Sequence, residues 1–262
     1  MLLDIPPLTL LATFLGLTAI IAMRYMAISG LFYWLLWGRP PGRVGAMKLM
    51  KGVPKKGAVR REITWSLLSS FIYAAPAAIV FELWRLGGTA VYTDIDAYPL
   101  WWIPVSVFVY LFLHDTWFYW THRAMHHPRL FRVMHRVHHE SRPPTPWAAF
   151  SFHPWESVLG AVFLPLVALV VPIHVGAILF ILTLMTLAAV FNHSGYEIFP
   201  KWWLRGPPGR HLITAAHHDL HHKNPNTNYG LYFRFWDKVM GTDVMETEYP
   251  FLRKREGKGS RG

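Results

Sequence analysis

Long runs of apolar residues dominate the sequence and alternate with segments that are polar and basic. Four runs contain at most one Asp, Glu, Lys or Arg residue each: Leu8–Trp37, Ile63–Trp84, Pro99–Thr121 and Ser157–Asn192. Because about 20 apolar helical residues cross the hydrocarbon core of a bilayer, each run is long enough to span a membrane. The pattern predicts an all-α integral membrane protein with about four transmembrane helices.

The last run is too long for one ordinary span. Pro165, Pro172 and Gly176 lie near its middle, and proline interrupts the hydrogen bonding of a helix. We therefore expect this run to form a helical hairpin that enters and leaves the membrane on the same side. The N-terminal residues lack the basic segment of a signal peptide, so the first run is expected to remain as an anchor.

Basic residues are unevenly distributed among the polar segments. Residues 38–62 contain eight Lys or Arg residues, whereas residues 85–98 contain only Arg85. Since Lys and Arg accumulate in cytoplasmic loops, we expect residues 38–62, 122–156 and 193–262 in the cytoplasm and the N-terminus outside. Residues 1–262 would then form a single membrane-embedded domain, in a bacterial inner membrane or the endoplasmic reticulum.

Composition narrows the possible chemistry. The chain has no cysteine, which excludes disulfide scaffolds and cysteine-ligated metal sites, but it has 15 histidines. Its formal net charge is +11. Membrane topology explains this charge, with a docking surface for an acidic redox protein as the alternative. No nucleic-acid-binding motif accompanies it, so no nucleic acid partner is expected.

Most of the histidines belong to two stretches of the chain, 114–153 and 211–222. Three motifs stand out: H-R-A-M-H at 122–126, H-R-V-H-H at 135–139 and H-D-L-H-H at 218–222. Residues four apart share a helix face, so each motif gathers imidazoles on one side. Three imidazoles on one turn can bind one metal ion or contribute to two. Nitrogen donors suit Zn, Cu, Fe and Ni, so the spacing predicts a metal centre without choosing the metal.

Polar residues around the motifs have other interpretations. Asp115 lies seven residues before His122 on the same helix face, and is either a helix-end charge or a group that orients a metal-bound imidazole. His174 is expected to be a structural residue at the apex of the hairpin. His127 and His211 are expected at a helix end and in a loop. The roles of His114 and His217 stay open.

The three motifs resemble the histidine boxes of the fatty acid hydroxylase/sterol desaturase superfamily of membrane di-iron oxygenases. Flanking segments extend the resemblance over Arg60–Asp243 in the same order and spacing: HDTWFYWTHRAMHH, PTPWAAFSFHPWE, FNHSG and NYG…WDKVMGT. These segments are most similar to sterol C-5 desaturases (lathosterol oxidases), and slightly less so to sterol C-4 methyl oxidases. An H-E-x-x-H protease motif is absent from the sequence.

The resemblance implies two iron ions held in a cytosolic, histidine-rich helical cap above four helices. The ligands it implies are His122, His126, His135, His138, His139, His193, His218, His221 and His222, with His153 as a further one. It also implies a lipid substrate from the bilayer, dioxygen, and two electrons from an acidic carrier such as cytochrome b5 or a ferredoxin.

The resulting hypothesis is a membrane-bound di-iron oxygenase that desaturates a sterol-like or related lipid at an unactivated C–H position. The alternative enzyme is a hydroxylase of a sterol, a fatty acyl chain or a carotenoid, since the same centre can add a hydroxyl group or remove a second hydrogen. Two alternatives are not enzymes: a metal transporter whose histidines line a path across the bilayer, and an inactive lipid-binding relative.

Reporter fusions at Gly45, Tyr92 and Gly262 test the predicted topology. We expect the first and third reporters to be active in the cytoplasm and the second outside, because Lys and Arg flank only the first and third positions densely. An outside reporter at Gly262 would contradict this topology and move the histidine motifs to the other side of the membrane.

Overall fold

The computed structural model describes residues 5–38, 47–50 and 52–244, and this part of the chain is mostly helical. Its α-helices are α1 (Pro7–Leu36), α2 (Ala58–Arg85), α3 (Trp102–Met125), α4 (Pro128–Leu130), α5 (Arg136–His139), α6 (Pro154–Val170), α7 (Val175–Asn192), α8 (Lys201–Arg205), α9 (Pro207–His211), α10 (Ala215–Lys223) and α11 (Phe235–Val239). Single 3-10 turns lie at Ile95–Ala97 and Pro146–Phe150, and a π-helical turn at Phe131–His135. Two short strands are β1 (Val91–Tyr92) and β2 (Ile173–His174).

The five long helices form a bundle in which each packs against two others, in the order α1, α2, α6, α3, α7 and back to α1. The bundle has two distinct ends. At one end Trp102, at the start of α3, donates its indole N–H to the carbonyl of Pro172 at 3.0 Å. At the other end Trp37 follows α1 and donates to the carbonyl of Ser194, just after α7, at 2.9 Å.

The last apolar run consists of two helices, α6 and α7, separated by residues 171–174. Pro172 lies in this break, whereas Pro165 lies inside α6, so only one of the two prolines interrupts the helix. The extended residues of the break pair in parallel with β1, Val91 opposite Ile173. This pairing was not expected in an all-α fold. It provides partners for backbone groups that no helix satisfies.

Three helices are long and apolar enough to cross a membrane: α1, α2 and α7. The predicted count of four spans is therefore met only in part. Helix α6 is apolar but has 17 residues, and α3 is long but contains no 18-residue stretch as apolar as those of α1, α2 and α7. Ser106, His114 and Asp115 of α3 are buried inside the bundle, which explains how a helix of this polarity packs among apolar neighbours.

The bundle is apolar outside and partly polar inside. Leu8, Leu15 and Met23 are exposed along α1. Between α2 and α6, the hydroxyl groups of Ser69 and Ser157 form a buried hydrogen bond of 2.8 Å. Small polar contacts between helices and an apolar exterior are the arrangement that a lipid environment favours. The chain is thus an integral membrane protein.

Parts of the predicted topology fall on residues 1–4, 39–46, Lys51 and residues 245–262, which lie outside the described residues. The side of the membrane on which each end of the bundle lies stays a prediction.

Candidate metal centre

Nine histidine side chains converge at the end of the bundle where α1 and α7 finish. They come from four segments: the end of α3, the π-helical turn with α5, the residue after α7, and α10. The nine are His122, His126, His135, His138, His139, His193, His218, His221 and His222. All are buried except His126, which is partly exposed.

The nine rings form two groups. The five-imidazole group consists of His122, His126, His135, His139 and His221, and the four-imidazole group consists of His138, His193, His218 and His222. Within each group, one nitrogen atom from every ring lies within 4.8 Å of the others. The motif at 135–139 gives its first and last histidines to the five-imidazole group and its middle one to the other. The motif at 218–222 does the reverse, so each of these two motifs contributes to both groups.

Neighbouring Nε2 atoms are spaced as ligands around a metal ion would be. The Nε2 atoms of His122 and His135 are 3.0 Å apart in one group, and those of His218 and His222 are 3.0 Å apart in the other. Two nitrogen atoms about 2.1 Å from a cation and at right angles to each other lie about 3.0 Å apart. Both groups therefore match the geometry of a nitrogen ligand set.

The hydrogen bonds of the Nδ1 atoms, called here the outer ring nitrogens, show which nitrogen carries the proton in four of the rings. Four Nδ1–H groups donate to oxygen acceptors: His122 to the carbonyl of Tyr229 (2.9 Å), His135 to the carboxylate of Glu156 (2.8 Å), His193 to the carbonyl of Ala189 (2.7 Å) and His221 to the carbonyl of Thr227 (2.7 Å). A neutral imidazole has one N–H, so the Nε2 atom of each ring carries a lone pair. His122 and His135 thus direct two lone pairs at each other with no proton between them, which a bound cation would stabilise.

Burial keeps these imidazoles neutral. It lowers the pKa of His138, His218 and His222 well below the usual range of histidine, and neighbouring imidazoles lower it further. Burial also lowers the pKa of His193 to about 4. Neutral rings offer their lone pairs to a metal ion near neutral pH. The donor set fits a transition metal that prefers nitrogen ligands, and iron is one of these.

Helix α10, which bears three of the nine rings, is held at its first turn. The Nδ1 atom of His217 accepts a hydrogen bond from the backbone N–H of Thr214 at 3.3 Å, as part of a capping box. The buried carboxylate of Glu197 accepts the backbone N–H of Ala216 at 3.0 Å. His217, whose role the sequence left open, therefore caps the helix that carries its neighbours.

Two further carboxylates, those of Asp115 and Asp237, shape the loop that follows α10. One oxygen of Asp115 accepts the backbone N–H groups of residues 231–233 at 2.7–3.1 Å. Asp237 accepts those of residues 229 and 230, both at 2.8 Å. This loop supplies the Tyr229 carbonyl that accepts the Nδ1–H of His122. Among the described residues, Asp115 contacts backbone N–H groups and no imidazole, so it acts through the loop and not by the direct contact considered from the sequence.

Six histidines lie outside both groups, namely His217 and five others. His153, implied as a tenth ligand, precedes α6 and its Nδ1 accepts the backbone N–H of Trp155 at 3.4 Å. The ring of His153 therefore caps helix α6 and does not join the nine converging rings. Of the rest, His114 bonds to the hydroxyl of Tyr232, His127 and His211 are exposed, and His174 donates to the carbonyl of Thr93 at the far end of the bundle.

Sequence reasoning missed Glu156. Its side chain is 6% exposed and accepts the Nδ1–H of His135. The available signal was an acidic residue in the segment HPWE, directly before a long run without charges. The carbonyl acceptors of the other rings leave no such signal, since every residue has a carbonyl group.

We expect Asp115→Ala to lower the melting temperature of the detergent-solubilised protein strongly. Three backbone N–H groups would lose their acceptor, and a buried donor left unsatisfied costs about 1–3 kcal/mol. Asp115→Asn keeps a carbonyl oxygen at this position and should have a smaller effect. Asp96→Ala, at an exposed position, is the control. Equal melting temperatures for Asp115→Ala and the control would contradict the role of Asp115 in holding the loop.

Comparison with known proteins agrees with this arrangement. The fatty acid hydroxylase family model matches residues 107–242. A Delta(7)-sterol 5(6)-desaturase of Gibberella zeae is 32% identical over 70% of this chain and 57% of its own length. Lathosterol oxidase of Rattus norvegicus is 32% identical over 78% of this chain and 65% of its own length. Methylsterol monooxygenase erg25A of Aspergillus fumigatus is 30% identical over 89% of this chain and 78% of its own length. No solved structure matches the chain.

The matched part of the chain spans less than two thirds of the length of the first two relatives. The family match nevertheless covers slightly more than half of the chain and includes all nine converging histidines. On this evidence of sequence and geometry together, the chain belongs to the fatty acid hydroxylase family.

Proposed function

We propose that this chain is a membrane-bound di-iron oxygenase that uses dioxygen and two electrons to desaturate a sterol-like or related lipid. The observation that carries the proposal is the convergence of nine neutral imidazoles into two groups. Each group would hold one iron ion through its Nε2 atoms. The chemistry that such a pair of ions supplies when bound is the activation of dioxygen for attack on an unactivated C–H bond.

The protein's own contribution is to bind the metal ions, to orient the imidazole rings and to shield the centre from water. The Nε2 atoms bind, and the carbonyls of Ala189, Thr227 and Tyr229 orient three of the rings through their outer nitrogens. Eight of the nine rings are buried, which keeps bulk water away from the reacting groups.

An apolar groove between α2 and α6 supports a lipid substrate. It has a volume of about 380 Å³ and is lined by Phe71, Ile72, Ala75, Pro76, Ile79, Val158, Ala161 and Val162. Its lining begins two residues after Glu156, which contacts the five-imidazole group. Relatives named as acting on sterols make a sterol-like lipid the favoured substrate class.

Hydroxylation is the second candidate reaction. The relatives include a sterol desaturase and a methylsterol monooxygenase, and the chain resembles both. Which outcome follows depends on how the target carbon is held, because shifts of about 1 Å decide reactivity at such centres. A metal transport path is disfavoured, since the nine rings lie at one end of the bundle and His174 at the other end donates to a backbone carbonyl.

An acidic redox protein is the proposed electron donor. Arg129 and Arg132 are exposed on the segment whose opposite face carries the buried rings of the motif at 135–139. Arg136 is exposed on the same segment and pairs with Glu140 at 3.0 Å. A cationic face directly behind three proposed ligands is complementary to an acidic carrier such as cytochrome b5 or a ferredoxin. We also propose that this end of the bundle faces the cytoplasm, as the distribution of Lys and Arg predicts.

We expect His218→Ala to bind less iron than the unaltered protein. The change removes one of four nitrogen donors and leaves the adjacent rings without a shared cation. His211→Ala is the matched control, because this histidine is exposed and lies outside both groups. Iron per protein is measured by elemental analysis at equal expression. Equal iron content in the two variants would contradict the assignment of the four-imidazole group.

Expression in a sterol-producing host, followed by mass spectrometry of its lipids, tests the reaction itself. A sterol product lighter by two hydrogen atoms indicates desaturation, and one heavier by an oxygen atom indicates hydroxylation. We expect the first, and we expect His218→Ala to abolish it. Modified acyl chains with unmodified sterols would contradict the proposed substrate class.

A further inference from the structure

The acceptors of the outer ring nitrogens differ in charge but not in geometry. Three of the four Nδ1–H groups described above donate to backbone carbonyls at 2.7–2.9 Å, and the fourth, from His135, donates to the carboxylate of Glu156 at 2.8 Å. Because the distances are alike, all four rings are oriented about equally well. What distinguishes His135 is that its acceptor is an ionisable carboxyl group and not a backbone carbonyl.

We propose that Glu156 is a positioning residue that makes the two imidazole groups unequal, by holding a carboxylate charge against His135 in the five-imidazole group. This inference rests on the proposed function, in which each group binds a metal ion. A carboxylate acceptor polarises the imidazole and makes its other nitrogen a better ligand than a neutral acceptor does. The five-imidazole group therefore gains affinity for a cation that the four-imidazole group does not gain from this residue.

The surroundings of Glu156 act on its charge in two opposite directions. Burial raises the pKa of the Glu156 carboxyl well above its usual range, whereas a cation bound by His135 would favour the carboxylate. The side chain is 6% exposed and the ring of His135 is 1% exposed, so little water screens the pair. Glu156 is the third residue of α6, and the partial positive charge at the N-terminus of this helix stabilises a carboxylate in its first turn.

The position of the carboxylate is held by contacts of α6 with two neighbouring helices. Ser157 shares a hydrogen bond with Ser69 of α2 at 2.8 Å, and Trp117 of α3 donates to the carbonyl of Leu159 at 2.9 Å. One turn of helix thus fixes the charge beside the ring. A charge on a rigid element keeps a ligand oriented better than one on a loop.

Two substitutions separate charge from orientation. Glu156→Gln keeps the length of the side chain and a carbonyl oxygen that accepts the Nδ1–H of His135, but removes the charge. Glu156→Ala removes both. Glu82→Gln is the matched control, because Glu82 is also a buried carboxylate of the bundle but pairs with Arg85, away from the histidines.

The experiment is a titration of metal-free protein in detergent with Co²⁺, followed by the visible absorption of the bound ion. We expect the unaltered protein and Glu82→Gln to bind two ions. Glu156→Gln should weaken one of the two binding steps by about ten- to a hundredfold and leave the other unchanged, and Glu156→Ala should weaken the same step further. Introduced into His218→Ala, which leaves the five-imidazole group intact, Glu156→Gln should weaken the step that remains.

Two results would overturn the inference. Unchanged affinities in Glu156→Gln would show that the charge has no effect on metal binding, and equal weakening of both steps would show a general role in folding. If the unaltered protein bound no cobalt, the proposed metal centre itself would be wrong. The two failures are distinguishable, because in the first no cobalt binds and in the second two ions bind with affinities that do not depend on Glu156.

Discussion

The rest of the structure depends on one electrostatic constraint: nine neutral imidazoles direct nitrogen lone pairs into two small volumes that are shielded from water. Lone pairs 3.0 Å apart, as in His122 and His135, repel each other unless a cation lies between them. In four of the rings the opposite nitrogen carries a proton and donates it to an acceptor, as a buried N–H group requires. Carbonyls from separate parts of the chain meet that need for His122, His193 and His221.

The buried carboxylates follow from the same constraint. Asp115, Asp237 and Glu197 make no hydrogen bond to the nine rings in the contacts described. Asp115 and Asp237 accept backbone N–H groups from the loop that supplies the acceptor of His122, and Glu197 accepts the backbone N–H of Ala216 in the first turn of α10. Buried backbone N–H groups need such acceptors, because burial removes the water that would otherwise satisfy them. The histidine-rich end is thus built around backbone hydrogen bonds to acidic side chains, and Glu156 alone among these four carboxylates bonds directly to a ring.

The apolar bundle gives this polar end its access to lipid. Helix α3 joins the two parts, since it packs against α6 and α7 along its length and bears His122 in its last turn. The groove between α2 and α6 runs along the outer wall of the bundle and begins beside the turn that holds Glu156. In the proposed function, a lipid substrate would reach the centre along this groove without crossing an aqueous phase.

The sequence by itself determined the helical membrane architecture, the break near Pro172 and the three histidine motifs, because these follow from local composition and from helical periodicity. It also predicted that the motifs bind metal, but it could not decide whether three imidazoles on one turn share one ion. Only the tertiary structure divides His135 and His139 from His138, and His218 and His222 from His221. The reason is physical: helical spacing sets which side chains share a face, whereas the rings that complete each group, such as His193, come from helices distant in the chain. The same holds for Asp115 and Glu156, whose partners are separated from them by 116 and 21 residues and are brought near only by packing.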